Sequence, residues 1–205
     1  MRPSPVWLAA LTLALAGRAS AQDGPDSTVY RLLPASRLEV RTGRAGLFKG
    51  LGHEHLVRAR AFQGTIVYVP AAPERSSVAI RVAVDSLEIR TDADSSDVAK
   101  MTRAMREQTL KVEEYPEITF VSREVAPVEG GVRVTGEFTL ARRTRPLVVD
   151  VALTLAGDTL RATAAFRLKQ TDFGIKPYSA GFGTVKVADE VRFALDVVAA
   201  PAPVR

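Results

Sequence analysis

Leu147-Val148-Val149-Asp150-Val151-Ala152-Leu153-Thr154-Leu155 places Leu147, Val149, Val151, Leu153 and Leu155 at every second position. Side chains two apart on an extended chain share a face, so this spacing describes a strand with one side buried. Val191, Phe193, Leu195 and Val197 repeat the pattern near the C-terminus. Val78, Ile80, Val82 and Val84 repeat it nearer the middle, with Ala79, Arg81 and Ala83 between them. Patterning of this kind runs from about Ser36 to Val198. So many half-buried strands in succession specify an all-β fold, an antiparallel sheet curled into a barrel around an apolar interior. Such a barrel either fills its centre or holds something there.

The remaining strands follow outward from these. Alternation places them at Val29 to Leu33, Arg37 to Thr42, one long strand from about His53 to Val69, Ile118 to Val125, Val132 to Leu140 and Leu160 to Leu168. The Val78 strand is expected to bend near Asp85-Ser86 and continue through Leu87 and Ile89. Glu129-Gly130-Gly131 and Gly157-Asp158 have the chemistry of tight hairpins. One stretch breaks the period. From Asp94 to Leu110, Val98, Met101 and Met105 recur at helical spacing, Asp94 or Ser95 is placed to cap, and Lys100, Arg103, Arg106 and Glu107 form a charged face. This predicts a single inserted amphipathic α-helix lying across the sheet or over one end of the barrel. Met101 and Met105 serve there as ordinary core or, because thioethers adapt to varied shapes, as a flexible lid to a cavity.

Composition bounds the alternatives. The chain has 205 residues, 46% hydrophobic and 25% charged, which suits one domain with a sizeable core. Residues 1–21 read as a secretory signal peptide: Arg2, an apolar stretch from Val6 to Ala16, and Ala19-Ser20-Ala21 as a cleavage signal before Gln22. The apolar stretch falls short of the roughly 20 residues that cross a bilayer as a helix, which disfavours an uncleaved anchor. A single domain from Gln22 to Arg205, periplasmic or secreted, is the expectation, with no stable membrane span. The absence of cysteine excludes disulfides and thiolate metal sites. Loss of Arg2 and Arg18 on cleavage lowers the formal charge from +5 to +3, too small and too evenly spread an excess to indicate a nucleic-acid partner.

Three constellations carry polar or aromatic chemistry. His53-Glu54-His55 contains both histidines of the chain, and on a strand the two imidazoles share a face. The pair is compatible with structural hydrogen bonding at the barrel mouth, with contact to a ligand headgroup, or with half of a metal site, since a tight site wants three or four ligands. The spacing is wrong for the helical metalloprotease motif, and no serine, histidine and acid stand out as a catalytic triad. Gln170-Thr171-Asp172-Phe173-Gly174-Ile175-Lys176-Pro177-Tyr178, followed by Gly181-Phe182-Gly183, reads as a wide aromatic connection that plugs a barrel end or forms its entrance. Arg142-Arg143-Thr144-Arg145, before Pro146, reads as a basic hairpin tip.

Several segments, taken in order, resemble the YceI-like family of exported proteins. They are Arg106 to Leu110 leading into Glu114-Tyr115-Pro116-Glu117-Ile118-Thr119-Phe120, then Gly136-Glu137-Phe138-Thr139-Leu140 with Thr144-Arg145-Pro146-Leu147. Thr171-Asp172-Phe173-Gly174-Ile175 and Val187-Ala188-Asp189-Glu190-Val191 follow. The resemblance covers nearly all of the chain after residue 21 and implies a lipocalin-like antiparallel β-barrel and a polyisoprenoid ligand. It departs from the family pattern where a histidine is expected after the first strand's aspartate and another before the Phe-x-Gly segment: this chain has Ser36-Arg37-Leu38 and Gly52-His53-Glu54-His55, while Phe62-Gln63-Gly64 is kept.

Together these readings predict a non-enzymatic lipid-binding protein, a monomer or weak homodimer without a cofactor, that holds a long apolar isoprenoid of polyprenyl or quinone type inside the barrel. Strand parity nominates Phe120, Phe138, Phe166 and Phe193 as inward-facing, with Met101 and Met105 near the helix and Phe173, His53 and His55 toward the mouth. Ala162 and Ala164 on the same face favour a cavity. The rival expectations are a periplasmic metal-dependent or redox accessory protein using His53 and His55, and a barrel packed solid.

Overall fold

The computed structural model describes residues 27–45, 55–91, 94–180 and 185–203. The proposed signal peptide, His53, Glu54 and Gly181-Phe182-Gly183 lie outside them. The strands are β1 (Thr28–Leu32), β2 (Arg37–Ala45), β3 (His55–Ala59), β4 (Phe62–Tyr68), β5 (Ser77–Ala83), β6 (Leu87–Arg90), β7 (Glu117–Val128), β8 (Gly131–Leu140), β9 (Arg143–Ala156), β10 (Thr159–Lys169), β11 (Ser179–Ala180) and β12 (Val185–Pro201). The helix α1 (Ser95–Ala104) stands between β6 and β7.

Three pairs of these strands are successive halves of one run. β1 and β2 lie end to end along β12, β3 and β4 along them, and β5 and β6 along those. Counted as runs, the sheet is an eight-strand antiparallel meander that closes when β12 pairs with β1 through Leu32 and Ala199 and with β2 through Leu38 and Leu195. The barrel and inserted helix expected from the patterning are therefore present.

The long strand expected from about His53 to Val69 is divided at Arg60-Ala61. Inward-facing residues are Val57 and Ala59 before the break and Phe62, Ile66 and Tyr68 after it, so the chain slips by one residue and bends. The neighbouring run bends at the same level through a 3-10 turn at Val84–Ser86, as expected near Asp85-Ser86. The two bends brace each other: Arg60 N donates to Ser86 O (3.2 Å), Ala83 N to Ala61 O (3.2 Å), and Ser86 Oγ to Ala61 O (3.1 Å). Val84 N donates to Pro116 O (2.9 Å), which ties the bend to the segment entering β7.

Beyond the bend, β6 and β7 do not pair, and the helix occupies the gap. Asp94 caps it by accepting from Ser96 N (2.8 Å), a bond that also holds the Asp94 carboxyl below its usual range. Thr102 Oγ1 accepts from Ile89 N (3.2 Å), and Arg106 Nε donates to Leu87 O (2.8 Å), so two helical side chains satisfy backbone groups of β6 that no strand reaches. Arg106 is thus not on the outer charged face. Arg106 lies four residues after Thr102 and so shares its sheet-facing side; a π-helical turn at Met105–Thr109 then follows α1.

Gly130 (φ 75°) and Gly157 (φ 55°) make the two glycine hairpins. The basic hairpin turns one residue earlier than its arginines suggest, at Ala141-Arg142, with Arg143 to Pro146 already in β9. Ala141 has a φ of 49°, where an L residue is strained by about 1–2 kcal/mol. Ala141→Gly should therefore stabilise the protein by about 1 kcal/mol and raise Tm by roughly 2–4 °C, measured by thermal unfolding; a lower Tm would show that the turn relies on the alanine methyl.

The outer face carries cross-strand pairs: Arg133 with Asp150, Arg123 with Glu137, Arg167 with Glu190, Arg81 with Glu117 and Arg58 with Glu39. Charge outside and apolar residues inside is the inverse of a transmembrane barrel, whose outer band must be apolar. No helix among the described residues is long and apolar enough to cross a membrane.

Candidate binding cavity

Because every second side chain of a barrel strand points inward, the interior is assembled from one face of each run. β8 contributes Val132, Val134, Gly136, Phe138 and Leu140, all five buried. β10 contributes Leu160, Ala162, Ala164 and Phe166, and β12 contributes Phe193, Leu195 and Val197. These faces do not meet at the centre. They enclose a cavity of about 180 Å³ whose lining includes Phe120, Phe138, Phe166, Phe193, Ala162 and Ala164. Phe166, Phe193, Ala164 and Leu195 point inward yet are only partly buried, because part of their surface faces this open volume.

The rings are ordered at one end of the cavity. Phe166 and Phe193 are direct cross-strand partners and stack with centroids 4.7 Å apart and planes 7° from parallel. Phe138 meets them edge-on at 6.4 and 5.8 Å. Phe173 meets the other side of Phe138 edge-on at 5.6 Å. On β7, Phe120 is the cross-strand partner of Phe138, and Gly136 leaves room for its ring: a Cβ at 136 would stand 2.6 Å from Phe120 Cζ.

Polar groups are sparse. Ser76, Ser77 and Thr119 border the cavity, and Glu39, the one charged residue bordering it among the described residues, turns its carboxylate to the outer face, where Arg58 Nε donates to it at 2.8 Å. Ser76 and Ser77 stand where β5 and β7 part company. Pairing ends at Ala79 and Val121, and β7 then bulges at Ser122 to Glu124. Ser122 Oγ accepts from Val78 N (2.9 Å), standing in for the missing strand carbonyl.

The other residues nominated from sequence fall elsewhere. Phe173 is 2% exposed and, with Ile175, closes the barrel end beyond the aromatic group, so it is plug and not cavity wall. The plug is latched by the Val187 to Val191 segment: Asp189 accepts from Thr171 N (2.9 Å) and Thr171 Oγ1 (2.7 Å), and Gln170 Nε2 donates to Ala188 O (2.8 Å). The Thr171 to Ile175 and Val187 to Val191 motifs are thus one structural unit. Met101 and Met105 are half-buried against the main hydrophobic cluster and do not line the cavity. His55 opens β3 on the face shared with Val57 and Ala59, with Thr42 Oγ1 donating to its carbonyl (3.4 Å). Among the described residues, no three histidine, aspartate or glutamate side chains converge as a metal site would require. Ile66 and Tyr68 also line the cavity, but their parity is legible only once the break at Arg60-Ala61 is fixed; Ile80 lines it as well, on the face that the Val78 series already defines.

A closed antiparallel barrel, apolar inside and charged outside, belongs to the lipocalin-like class. Its motifs place it further. The chain belongs to the YceI-like family: the YceI-like domain is matched over residues 37–199. Among solved structures, BcnA of Burkholderia cenocepacia is similar at 21% identity and a TM-score of 0.65, with 82% of this chain and 98% of that one covered. A polyisoprenoid-binding domain from Saccharophagus degradans shows 13% identity and a TM-score of 0.62 over 85% and 99% of the two chains. A YceI protein of Campylobacter jejuni shows 14% identity and a TM-score of 0.57 over 72% and 85%. No curated protein sequence matches the chain significantly.

Proposed function

We propose that this protein is an exported carrier that binds an isoprenoid lipid, of polyprenyl or quinone type, by enclosing its apolar chain inside the barrel. The observation that carries this reading is the cavity itself: an open volume of about 180 Å³ whose walls are almost wholly aliphatic and aromatic, in a barrel otherwise packed tightly enough to leave Leu160 and Ala199 with no exposure. Burying each methylene of such a chain is worth up to about 0.8 kcal/mol before ordering costs, so affinity needs no polar motif. The lining offers no nucleophile paired with a base, which suits binding and not catalysis. The relative from Saccharophagus degradans described as a polyisoprenoid-binding domain supports the ligand class. The N-terminal segment supports export to the periplasm or medium.

Native mass spectrometry of the full chain expressed in a bacterial periplasm and purified without detergent tests the reading. The expected result is a discrete added mass that transfers to organic solvent on extraction. A bare chain that also fails to enhance the fluorescence of an apolar dye would favour a packed barrel.

A further inference from the structure

Over much of the outer face, charges of opposite sign stand across from one another, as Arg133 does from Asp150 and Arg58 from Glu39. One row departs from that pattern. Beside the inward row of Phe166, Phe193 and Val40 stand Arg167, Arg192 and Arg41 on β10, β12 and β2, each the direct cross-strand partner of the next and each exposed. Like charges directly opposite on a sheet work against folding. The acids that could offset them are engaged by other arginines: Glu190 accepts from Arg167 Nη1 (3.0 Å), and Glu39 from Arg58 Nε (2.8 Å). Among the described residues, Arg41 and Arg192 make no ion pair. At the same end of the barrel, where β10 runs into the plug, Arg143 and Arg145 both donate to Asp172 O (3.2 and 3.3 Å) and so gather over the plug turn.

We infer that this arginine row, with the two arginines over the plug, is a docking face for an anionic bilayer. Guanidinium groups bind phosphate oxygens in bidentate fashion, and phosphates brought to the row would relieve the repulsion between Arg192 and its two neighbours. Three adjacent strands make the row about 10 Å long. It lies on the outside of a closed barrel, a shape that meets an extended surface of phosphates more fully than it meets one small anion. The purpose of the face rests on the lipid-binding reading, since a long apolar chain partitions into bilayers and its carrier must load or unload at one. The charge pattern stands without that reading.

Co-sedimentation with vesicles tests it, using pure phosphatidylcholine and an equal mixture of phosphatidylcholine and phosphatidylglycerol at about 0.15 M salt. The wild-type protein should sediment with the mixed vesicles and not with phosphatidylcholine alone. Each basic side chain held at an anionic surface adds about fivefold to partitioning, so Arg41→Gln/Arg192→Gln should weaken binding about twenty-five-fold. Its Tm should not fall, because a repulsion has been removed. Arg133→Gln/Arg161→Gln removes the same net charge from outer positions away from the row and should weaken binding about twofold or less. Equal losses in the two double variants would make the attraction one of net charge and overturn the face, as would a wild type indifferent to phosphatidylglycerol. A lower Tm in Arg41→Gln/Arg192→Gln would make the row a structural element and overturn it too. Displacement of a bound apolar dye by the prenol farnesol reads the barrel separately and should be the same in wild type and Arg41→Gln/Arg192→Gln. Farnesol binding without docking overturns the face and leaves lipid binding intact; docking without farnesol binding overturns the lipid reading and leaves the face.

Discussion

Replacing Phe138 by alanine should destabilise the protein by about 3–5 kcal/mol, a drop in Tm of roughly 10 °C. Phe138 is 6% exposed and, among the described residues, is the one ring in edge-on contact with Phe166, Phe173 and Phe193 alike. Its removal forfeits three aromatic contacts and leaves a hole between the cavity and the plug that the rigid β8 backbone does not let collapse. Phe166→Ala should cost distinctly less, since part of the Phe166 ring already faces open volume and those contacts were never made. Urea unfolding of both variants decides the matter. Equal losses would mean that the volume beside Phe166 is filled in solution.

Gly136→Val should cost about 3 kcal/mol by the opposite route. The added Cβ would lie 2.5 Å from Val121 O as well as 2.6 Å from Phe120 Cζ, so it presses on the backbone of β7 and on a cavity wall at once. Phe120 can give way only by turning into the cavity, which should lower prenol affinity along with stability. Pairing the change with Phe120→Leu separates the two contacts. If the double variant regains most of the lost stability, the ring was the obstacle; if it regains little, the Val121 carbonyl was. A Gly136→Val protein as stable as wild type would show that β7 and β8 are not as closely apposed as the structure has them.

Much of this architecture is legible in the sequence wherever polar and apolar residues alternate without a slip. Leu147, Val149 and Val151 fix the facing of β9, and the same parity places Phe120, Phe138, Phe166 and Phe193 on the cavity wall. The bend after Val84 shows because the apolar series changes from Ile80 and Val82 to Leu87 and Ile89, an odd step between large residues. The equivalent bend at Arg60-Ala61 is hidden, since Ala59 and Ala61 are small enough to read as either face. The bulge in β7 is hidden in the same way: the inward series passes from Ile118 and Phe120 to Val125 across Ser122-Arg123-Glu124, polar residues that suit the outer face in any phase. Nor does local pattern reveal a contact made over long sequence separation. The latch between Thr171 and Asp189 joins two motifs that each look like an isolated turn, and it is what turns Phe173 from a candidate entrance residue into a plug.

The helix beside β6 has a consequence for how these molecules behave in a crowd. Any strand left with unclaimed amide and carbonyl groups is a template on which a neighbouring chain can lay its own strand, the first step toward aggregates. β6 would be such a template, four residues long and bordered by no strand on its far side. Thr102 and Arg106 take the Ile89 amide and the Leu87 carbonyl for themselves, so an incoming strand finds its first two hydrogen bonds already spent and an arginine in its path.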